Sequence, residues 1–393
     1  MEYYSQYKLG NTTPENSNES FADDFLFPNH EVLLQSLTPV LVYMIVLFTL
    51  GIPGNICVLY IYLFKVREST TRVFILALAM VDMIHCSLNM PVEIALLVNF
   101  DDFDYPVLCK ISRFISSVVN NSSAFILIAI AIDRYKRICR PHGHMIDSKM
   151  AKKLVIAAWS FAVLTSWQMC VLYGTRTLKR GKTCLISDHM QKTIFPTLFV
   201  YVLVVGQCIT DLLLITFYSL VGREVCLRKA QRRHRRSQRI STDVSQLRTS
   251  LDFSVETTPS PTSGKIDRFS FIFHRETSNE SKSSQSRNSN NFSRESRGSS
   301  IRRQILSKTT IMMFLVTVAF ILSFVPHTMA VIIRYQAKGH IQSLSTSGMV
   351  TYQLFLRSYF MNSVLNPFIY CFVSKQFRKQ FKESIRCACG HPV

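Results

Sequence analysis

An acid, a guanidinium and a phenol stand side by side at Asp133, Arg134 and Tyr135. They end an apolar run, residues 111–132, whose one charge is Arg113 near its start. A run of that length can cross a bilayer, which takes about 20 apolar residues. Charged residues at the end of such a helix reach headgroups or water. The triplet therefore marks a membrane face, either as a plain interfacial anchor or as an ion pair with a switching role.

Other chemistry-bearing side chains stand inside apolar stretches without the partners that an enzyme needs. Asp82 and Asp211 are single carboxylates there, and His85 and His327 are isolated imidazoles. The apolar stretches contain no His-Glu-X-X-His, no Gly-X-Ser-X-Gly and no pair of catalytic acids. The 11 cysteines lack the spacing of a zinc site. These observations argue against an enzyme, and the histidines are expected to be pocket or packing residues.

Seven apolar blocks of spanning length alternate with polar segments. Hydrophobic residues make up 48% of the 393-residue chain and are concentrated in these blocks, which favours a membrane protein over several soluble domains. The blocks lie at about 37–64, 73–98, 108–132, 154–173, 194–221, 311–333 and 349–373. The predicted fold class is an all-α membrane protein, a seven-transmembrane helix bundle with a short amphipathic eighth helix.

Basic residues predict the orientation of the bundle, because cytoplasmic loops carry an excess of Lys and Arg. Four basic clusters, at 65–72, 136–153, 228–239 and 375–382, all fall on one side of the seven spans. We expect that side to be cytoplasmic, which leaves the N-terminus outside the cell at the plasma membrane. Loops that face anionic lipid and cytosolic partners then carry the net charge of +20, and nucleic acid is not expected as a partner.

The polar segments divide the chain into five predicted parts. They are 1–36, an extracellular N-terminal tail; 37–224, transmembrane helices one to five; 225–303, a disordered, basic, Ser-rich third intracellular loop; 304–373, helices six and seven; and 374–393, an amphipathic helix and cytoplasmic tail. Asn11 and Asn18 begin Asn-X-Ser/Thr sequences and are predicted glycosylation sites. The composition of the third loop cannot bury a core, which is the basis for the predicted disorder.

An amphipathic helix that lies on membrane lipids is predicted after the seventh block. Phe377, Phe381 and Ile385 recur every four residues, with basic residues between them. Cys387 and Cys389 follow directly. They are well placed for palmitoylation, and plain reduced thiols remain the alternative.

The order of short motifs along the blocks resembles that of the rhodopsin-like, class A G-protein-coupled receptors, over about residues 37–386. Each motif falls on the helix where that family carries it. The motifs are Gly54-Asn55 in helix one, Leu78-Ala79-Met80-Val81-Asp82 in helix two, Asp133-Arg134-Tyr135 ending helix three, Trp159 in helix four, Phe320 with Pro326 in helix six, and Asn366-Pro367-Phe368-Ile369-Tyr370 in helix seven. Any one of them is weak, and together they identify the chain as similar to this family.

The resemblance implies a receptor that binds an extracellular ligand and activates heterotrimeric G proteins. Arrestin and receptor kinases are then expected partners of the third loop. Helix six would be kinked at Pro326 and helix seven at Pro367. The resemblance assigns the G-protein coupling switch to Asp133, Arg134, Tyr135, Tyr218 and Tyr370.

The resemblance also implies a disulfide and an ion site. Cys109 and Cys184 match the family's outer bridge, on the oxidising side of the membrane. An allosteric sodium ion, the one cofactor implied, would bind at Asp82. The alternative is a protonated Asp82 that bonds two asparagines. The other members of the implied sodium pocket are Ser123, Asn362, Ser363 and Asn366.

Two departures from the family pattern bear on switching. Phe324 replaces the Trp that is usual in helix six. Leu306 stands where many members carry an acid that faces Arg134, so that restraint is missing. Asp133 is therefore expected to be the main group that holds Arg134 at rest.

The outer ends of the blocks narrow the choice of ligand. Ser116 stands where amine receptors carry an Asp, and Phe360 stands where opsins carry the Schiff-base Lys, which argues against an amine and against retinal. The predicted pocket carries both signs of charge, which suits a neuropeptide better than a lipid. Its residues are Glu93, Ser116, Ser117, Gln207, Phe324, His327, Arg334, Tyr352 and Arg357. The alternative function is a multi-pass transporter or channel, which would want several charges along a path or an inverted repeat.

Overall fold

The structure is a computed structural model that describes residues 30–99, 102–141, 143–178, 181–255, 286–336 and 345–388. Long helices follow the seven apolar blocks. They are helix one, His30–Phe64; helix two, Thr70–Ile84 continued by Met90–Val98; helix three, Pro106–Cys139; helix four, Ser148–Ser166 with Gln168–Leu172; helix five, Phe195–Val255; helix six, Ser286–Gln336; and helix seven, Thr346–Leu356 with Phe360–Val373.

Smaller elements complete the described part of the chain. Strands β1, Tyr173–Leu178, and β2, Gly181–Ile186, form an antiparallel hairpin between helices four and five. A short helix, Asp188–Gln191, follows the hairpin. Helix eight, Lys375–Ala388, follows helix seven directly. The hairpin was not predicted from the sequence, because its residues do not show a clear alternation of apolar and polar types.

Apolar helices dominate the described residues. Six helices are long and apolar enough to cross a membrane, and the second part of helix seven, Phe360–Val373, is a shorter apolar helix. Large apolar side chains remain exposed on the outside of the bundle, such as Leu164 at 68% and Phe372 at 76%. Exposing apolar surface to water costs about 25 cal/mol per Å², a penalty that lipid tails remove. The predicted fold class, an all-α seven-helix membrane protein, is confirmed.

Helix one packs closely against helices two and seven because two glycines take the place of larger side chains. A Cβ on Gly51 would lie 2.6 Å from the sulfur of Cys86. A Cβ on Gly54 would lie 3.1 Å from the ring of Pro367. Small residues allow this close approach of helix backbones. The resulting van der Waals contact helps to hold the helices together, because in lipid the hydrophobic effect does not favour helix–helix over helix–lipid contact.

Pro367 and Asn55 form one backbone repair. A proline inside a helix has no N–H, so the carbonyl of Ser363, four residues earlier, loses its usual donor. The side-chain amide of Asn55 donates to that oxygen at 2.9 Å. A neighbouring helix thereby satisfies the freed carbonyl, as a membrane interior requires.

Two other prolines interrupt regular hydrogen bonding in the bundle. A π-helical turn, His85–Asn89, comes just before Pro91 in helix two. The wider turn accommodates the proline, which cannot donate to the carbonyl four residues earlier. In helix six, which contains Pro326, the hydroxyl of Ser358 donates to the carbonyl of Ser323 at 2.7 Å.

Helices five and six extend into the segment 225–303. Helix five continues to Val255 and helix six begins at Ser286, so the described parts of this segment are helical and differ from the predicted disorder. Its first part, 225–255, contains seven Arg, three Gln and three Leu, which are good helix formers. Glu224 and Arg228 add an ion pair of 2.7 Å one helical turn apart. A polar helix can thus extend from the bundle without burying an apolar face.

The substitution Gly51→Ala should destabilise the protein by about 1–3 kcal/mol, because the added methyl overpacks the contact with Cys86. The thermal unfolding midpoint of the purified protein measures this change. Gly206→Ala is the matched control, since a Cβ placed there would lie more than 4 Å from every described group outside the local turn of its own helix. Alanine should leave that midpoint unchanged or raise it slightly. Equal midpoints for the two variants would contradict the predicted contact.

Candidate functional site

A cavity of about 960 Å³ opens between helices two to seven, with the β-hairpin along one wall. Tyr173 and Thr183 of the hairpin contribute to this wall. The structure brings all nine residues of the predicted pocket to its lining. They are Glu93, Ser116, Ser117, Gln207, Phe324, His327, Arg334, Tyr352 and Arg357.

Glu93 connects two arginines across the cavity. Its Oε2 lies 3.1 Å from Nη1 of Arg113 on helix three, and its Oε1 lies 3.1 Å from Nη2 of Arg357 on helix seven. Arg357 also donates to Oε1 of Gln353 at 2.6 Å. The Arg113 guanidinium lies 5.8 Å from the ring centre of Tyr173. One carboxylate thus ties together helices two, three and seven.

Sequence reasoning did not place Arg113, Gln353 or Tyr359 in the pocket, and all three line the cavity. Arg113 was recognisable, because a charged residue inside a spanning segment points to a functional site. Gln353 and Tyr359 belong to a helix whose facing side is set by its packing, and a single sequence does not reveal that rotation.

Short polar contacts shape the rest of the cavity wall. The Ser117 hydroxyl donates to that of Ser166 on helix four at 2.9 Å. The Nδ1 atom of His327 donates to the carbonyl of Leu356 at 2.8 Å, which joins helices six and seven. Phe324 stacks below on Phe320, with ring centres 4.4 Å apart.

Asp211 has a partner in the structure. The side-chain amide of Gln207, which lines the cavity, donates to Oδ1 of Asp211 at 3.0 Å. The two residues are one helical turn apart on helix five. This bond orients Gln207 and partly satisfies a carboxylate that the sequence left unexplained.

Cys109 and Cys184 form a disulfide, with Cα atoms 5.5 Å apart. The predicted bridge is confirmed. It joins β2 to the start of helix three, and Cys184 itself lines the cavity. The bridge therefore holds the hairpin against the cavity, where its other residues form part of the wall.

A second polar group lies in the middle of the bundle. Nδ2 of Asn366 donates to Oδ2 of Asp82 at 2.8 Å, and both residues are buried. The Ser363 hydroxyl lies 3.0 Å from Nδ1 of His85. Ser123 and Asn362 are also buried. The Oδ1 atoms of Asp82, Asn362 and Asn366 lack hydrogen-bond partners within the described part of the chain, so three acceptor oxygens remain available.

Asp133 and Arg134 form a buried ion pair at the end of helix three that lies away from the cavity. Arg134 also donates to the Thr71 hydroxyl at 3.0 Å. Arg137 donates to Oδ1 of Asp133 at 2.9 Å and to the carbonyl of Ile146 at 2.9 Å. Asp133 therefore holds two guanidiniums, and one of them ties down the loop after helix three.

The tyrosines of the predicted switch surround this end of the bundle without replacing Asp133. Tyr135 packs edge-on against Phe217 of helix five, with ring centres 5.8 Å apart. Tyr218 is buried next to it on the same helix. Tyr370 packs edge-on against Tyr62 at 6.2 Å, and its buried hydroxyl has no hydrogen-bond partner among the described residues.

Several predictions fall outside the described residues. These are the glycosylation sites Asn11 and Asn18 and the palmitoylation site Cys389. The side chains of Leu306 and Cys387 also lie outside them, although both residues belong to helices. They stay predictions from sequence.

Known proteins resemble this chain in sequence and in fold. The sequence matches the family described as "7 transmembrane receptor (rhodopsin family)" over residues 54–370. The chain belongs to this family. The receptor resembles the crystal structure of squid rhodopsin in fold, with a TM-score of 0.64 and 14% identity, over 96% of this chain and 92% of that one.

Two relatives are receptors named after peptides. The neuropeptide S receptor of Macaca mulatta is 30% identical over 145 residues, which are 37% of this chain and 39% of that receptor's length. Cholecystokinin receptor type A of Cavia porcellus is 26% identical over 91% of this chain and 82% of that receptor. The first alignment thus spans well under half of its relative, whereas the second spans most of it.

Family membership decides between the functional classes raised by the sequence. The protein is a multi-pass membrane receptor of the rhodopsin family. The prediction that it is not an enzyme is confirmed by this assignment. A transporter or channel is not favoured.

Asp133→Asn should raise signalling in the absence of ligand, because Arg134 loses its buried counter-charge. A hydrogen bond to a charged group contributes about 1.5–3 kcal/mol, and each 1.4 kcal/mol changes an equilibrium about tenfold. We expect basal second-messenger levels to rise several-fold at equal surface expression.

The matched control for this prediction is Glu68→Gln. Glu68 is an exposed carboxylate of the loop between helices one and two, and the neighbouring Lys152 ammonium lowers the pKa of Glu68. The control removes the same charge without touching Arg134. Basal signalling that stays flat in Asp133→Asn, or rises equally in Glu68→Gln, would contradict the proposed restraint.

Proposed function

We propose that this receptor resides in the plasma membrane with its N-terminus outside the cell, binds a peptide in the outer cavity and activates G proteins at the opposite face. The observation that carries the peptide proposal is the cavity of about 960 Å³ with both signs of charge on its walls. Sites for drug-sized ligands measure about 300–1,000 Å³, so this one lies near the upper limit. The peptide names of the two relatives support the same class of ligand.

Ligand occupancy would bias an equilibrium between two arrangements of the bundle. Tyr359 lines the cavity and stacks on His85, with ring centres 5.6 Å apart. His85 contacts the hydroxyl of Ser363, whose carbonyl is held by Asn55. A continuous series of packed groups thus connects the ligand site with the middle of the bundle near Pro367.

The switch would act at Arg134. In the described arrangement its guanidinium is held by Asp133 and Thr71. An outward movement of the inner half of helix six, hinged at Pro326, would open a site for a G protein. Arg134 would then leave Asp133 and approach Tyr218 and Tyr370, whose positions on helices five and seven allow it.

Cytosolic partners and modifications complete the proposal. Segment 225–303 would bind arrestin after receptor kinases modify its serines. Helix eight would lie on membrane lipids, with Phe377 stacked 6.1 Å from Tyr62 and palmitate on Cys387 and Cys389. Glycans would attach to Asn11 and Asn18. Arrestin recruitment by stimulated cells tests the cytosolic partners, and glycosidase treatment of the purified receptor tests the glycans.

We also propose that a sodium ion binds beside Asp82. The donor set fits a hard cation, because the free oxygens of Asp82, Asn362 and Asn366 are acceptors. Ser123 and Ser363 would contribute hydroxyl oxygens. Such an ion would neutralise the Asp82 carboxylate and stabilise the resting arrangement.

Sodium chloride should raise the thermal unfolding midpoint of the purified receptor above that in potassium chloride at equal ionic strength, because an ion that binds the folded state stabilises it. Asp82→Asn should abolish the difference between the two salts. Asp211→Asn should keep it, since Asp211 is bonded to Gln207 elsewhere on helix five. A wild-type midpoint that does not distinguish the two salts would exclude the site.

A neuropeptide library applied to cells that express the receptor tests the main proposal. At least one peptide should release a second messenger in these cells and fail to do so in cells that express Arg134→Ala. Lys152→Gln is the control, because its exposed ammonium pairs with Glu68 and lies apart from Arg134. An epitope tag before Met1 reports surface expression on intact cells and tests the orientation as well.

Two results would contradict the proposal. A peptide response of equal size in Arg134→Ala would exclude the proposed coupling switch. An ion current in the absence of ligand would support the channel alternative instead.

A further inference from the structure

The outer cavity carries an excess of positive charge. Among the lining residues that the structure describes, three arginines and one glutamate carry a full charge, giving a formal charge of +2. These residues are Glu93, Arg113, Arg334 and Arg357. A cavity of one predominant sign concentrates ligands of the opposite sign, because low-dielectric walls focus the field.

Among the described residues, Arg113 and Arg357 share Glu93 as their one counter-charge. Each guanidinium lies 3.1 Å from a different oxygen of Glu93, so both oxygens are engaged. The side chains of Arg357 and Glu93 are only 10% and 9% exposed. The Arg113 side chain keeps 22% of its surface exposed. Withdrawing most of two guanidiniums from water while supplying one anion leaves a net charge that is costly to bury.

The hydrogen-bonding capacity of the two arginines is also incompletely used. A guanidinium carries five N–H donors in a fixed fork. The Nε atoms of Arg113 and Arg357 are buried and have no hydrogen-bond partner among the described residues. A buried donor without an acceptor costs about 1–3 kcal/mol. Both the charge and the donors therefore call for an additional anionic acceptor.

The arginines are held in position before any ligand arrives. Gln353 accepts from Arg357 at 2.6 Å, and the ring of Tyr173 lies against the Arg113 guanidinium. Glu93 joins the two across helices two, three and seven. A guanidinium whose orientation is fixed loses less conformational entropy when it binds a carboxylate.

We propose that the peptide ligand presents a carboxylate to Arg113 and Arg357, and that Glu93 is the positioning residue that holds these two cations apart and oriented. The inference rests on the proposed peptide function and specifies the chemistry of the ligand. The carboxylate belongs to an acidic side chain or to the free C-terminus of the peptide. Both sources present the same planar pair of oxygens, which matches the guanidinium fork.

Three hexapeptide pools distinguish these sources. All three pools are N-acetylated and differ only in charge. The first is neutral and has an amidated C-terminus. The second replaces one Gln of the first pool with Glu, at each position in turn, and the third is the first pool with a free C-terminus in place of the amide. The readout is the concentration that gives a half-maximal shift of the thermal unfolding midpoint of the full-length receptor in lipid nanodiscs. This readout does not depend on G-protein coupling.

At least one carboxylate pool should act at about tenfold lower concentration than the neutral pool on the wild-type receptor, about 1.4 kcal/mol. The ratio should fall toward one in Arg357→Gln and in Arg113→Gln. Arg357→Lys should retain part of it, because the charge remains and the fork is lost. Glu93→Gln should increase it, because the competing carboxylate is gone.

Lys182→Gln is the control for long-range charge. Lys182 lies on the hairpin outside the cavity lining, in an exposed pair with Asp104 at 2.8 Å. Its removal should leave the ratio between pools unchanged. If the ratio falls as much in Lys182→Gln as in Arg357→Gln, general electrostatic attraction explains it and the inference is overturned.

The outcomes separate this inference from the proposed function. Equal action of the neutral and carboxylate pools on the wild-type receptor overturns the carboxylate inference and leaves peptide binding intact. No shift with any pool overturns both. The wild-type comparison needs no variant, so it decides the question even if Arg113→Gln or Arg357→Gln does not fold.

Discussion

A helix bundle in lipid has no water to satisfy its buried polar groups, and this constraint accounts for the main interactions across the receptor. Pro367 frees a carbonyl, and Asn55 reaches from helix one to bond it. Asp82 is bonded by Asn366. Each of these contacts joins two helices, so the same bonds that satisfy polar groups also determine how the helices are arranged.

Buried charged groups must also find their partners within the bundle, and Asp133 and Glu93 each pair with two arginines. Asp133 is fully buried and holds both Arg134 and Arg137. Glu93 likewise holds two arginines on two other helices. A carboxylate shared by two cations is bound securely, whereas each cation is only partly neutralised. The bundle therefore presents incompletely satisfied guanidiniums at both ends, one set in the ligand cavity and one in the switch region.

Much of this arrangement was predictable from local sequence. The lengths of the apolar blocks predict the spanning helices, and the family motifs occur on these helices in the expected order. Nine residues of the outer cavity were predictable because the motifs fix which turn of each helix lies near the outer face, whereas Arg113, Gln353 and Tyr359 were missed. Helix five beyond Val221 was not predictable, since a composition rich in Arg and Ser is compatible with both a solvated helix and a disordered chain.

The sequence by itself determined the class of protein, because apolar length, motif order and the Asp133-Arg134-Tyr135 triplet are properties of single segments. Only the tertiary structure decided which groups meet. Glu93, Arg113 and Arg357 are up to 264 residues apart in the chain, and their contact depends on the rotation of three helices. That rotation depends on how the helices pack against one another, and no local pattern encodes it.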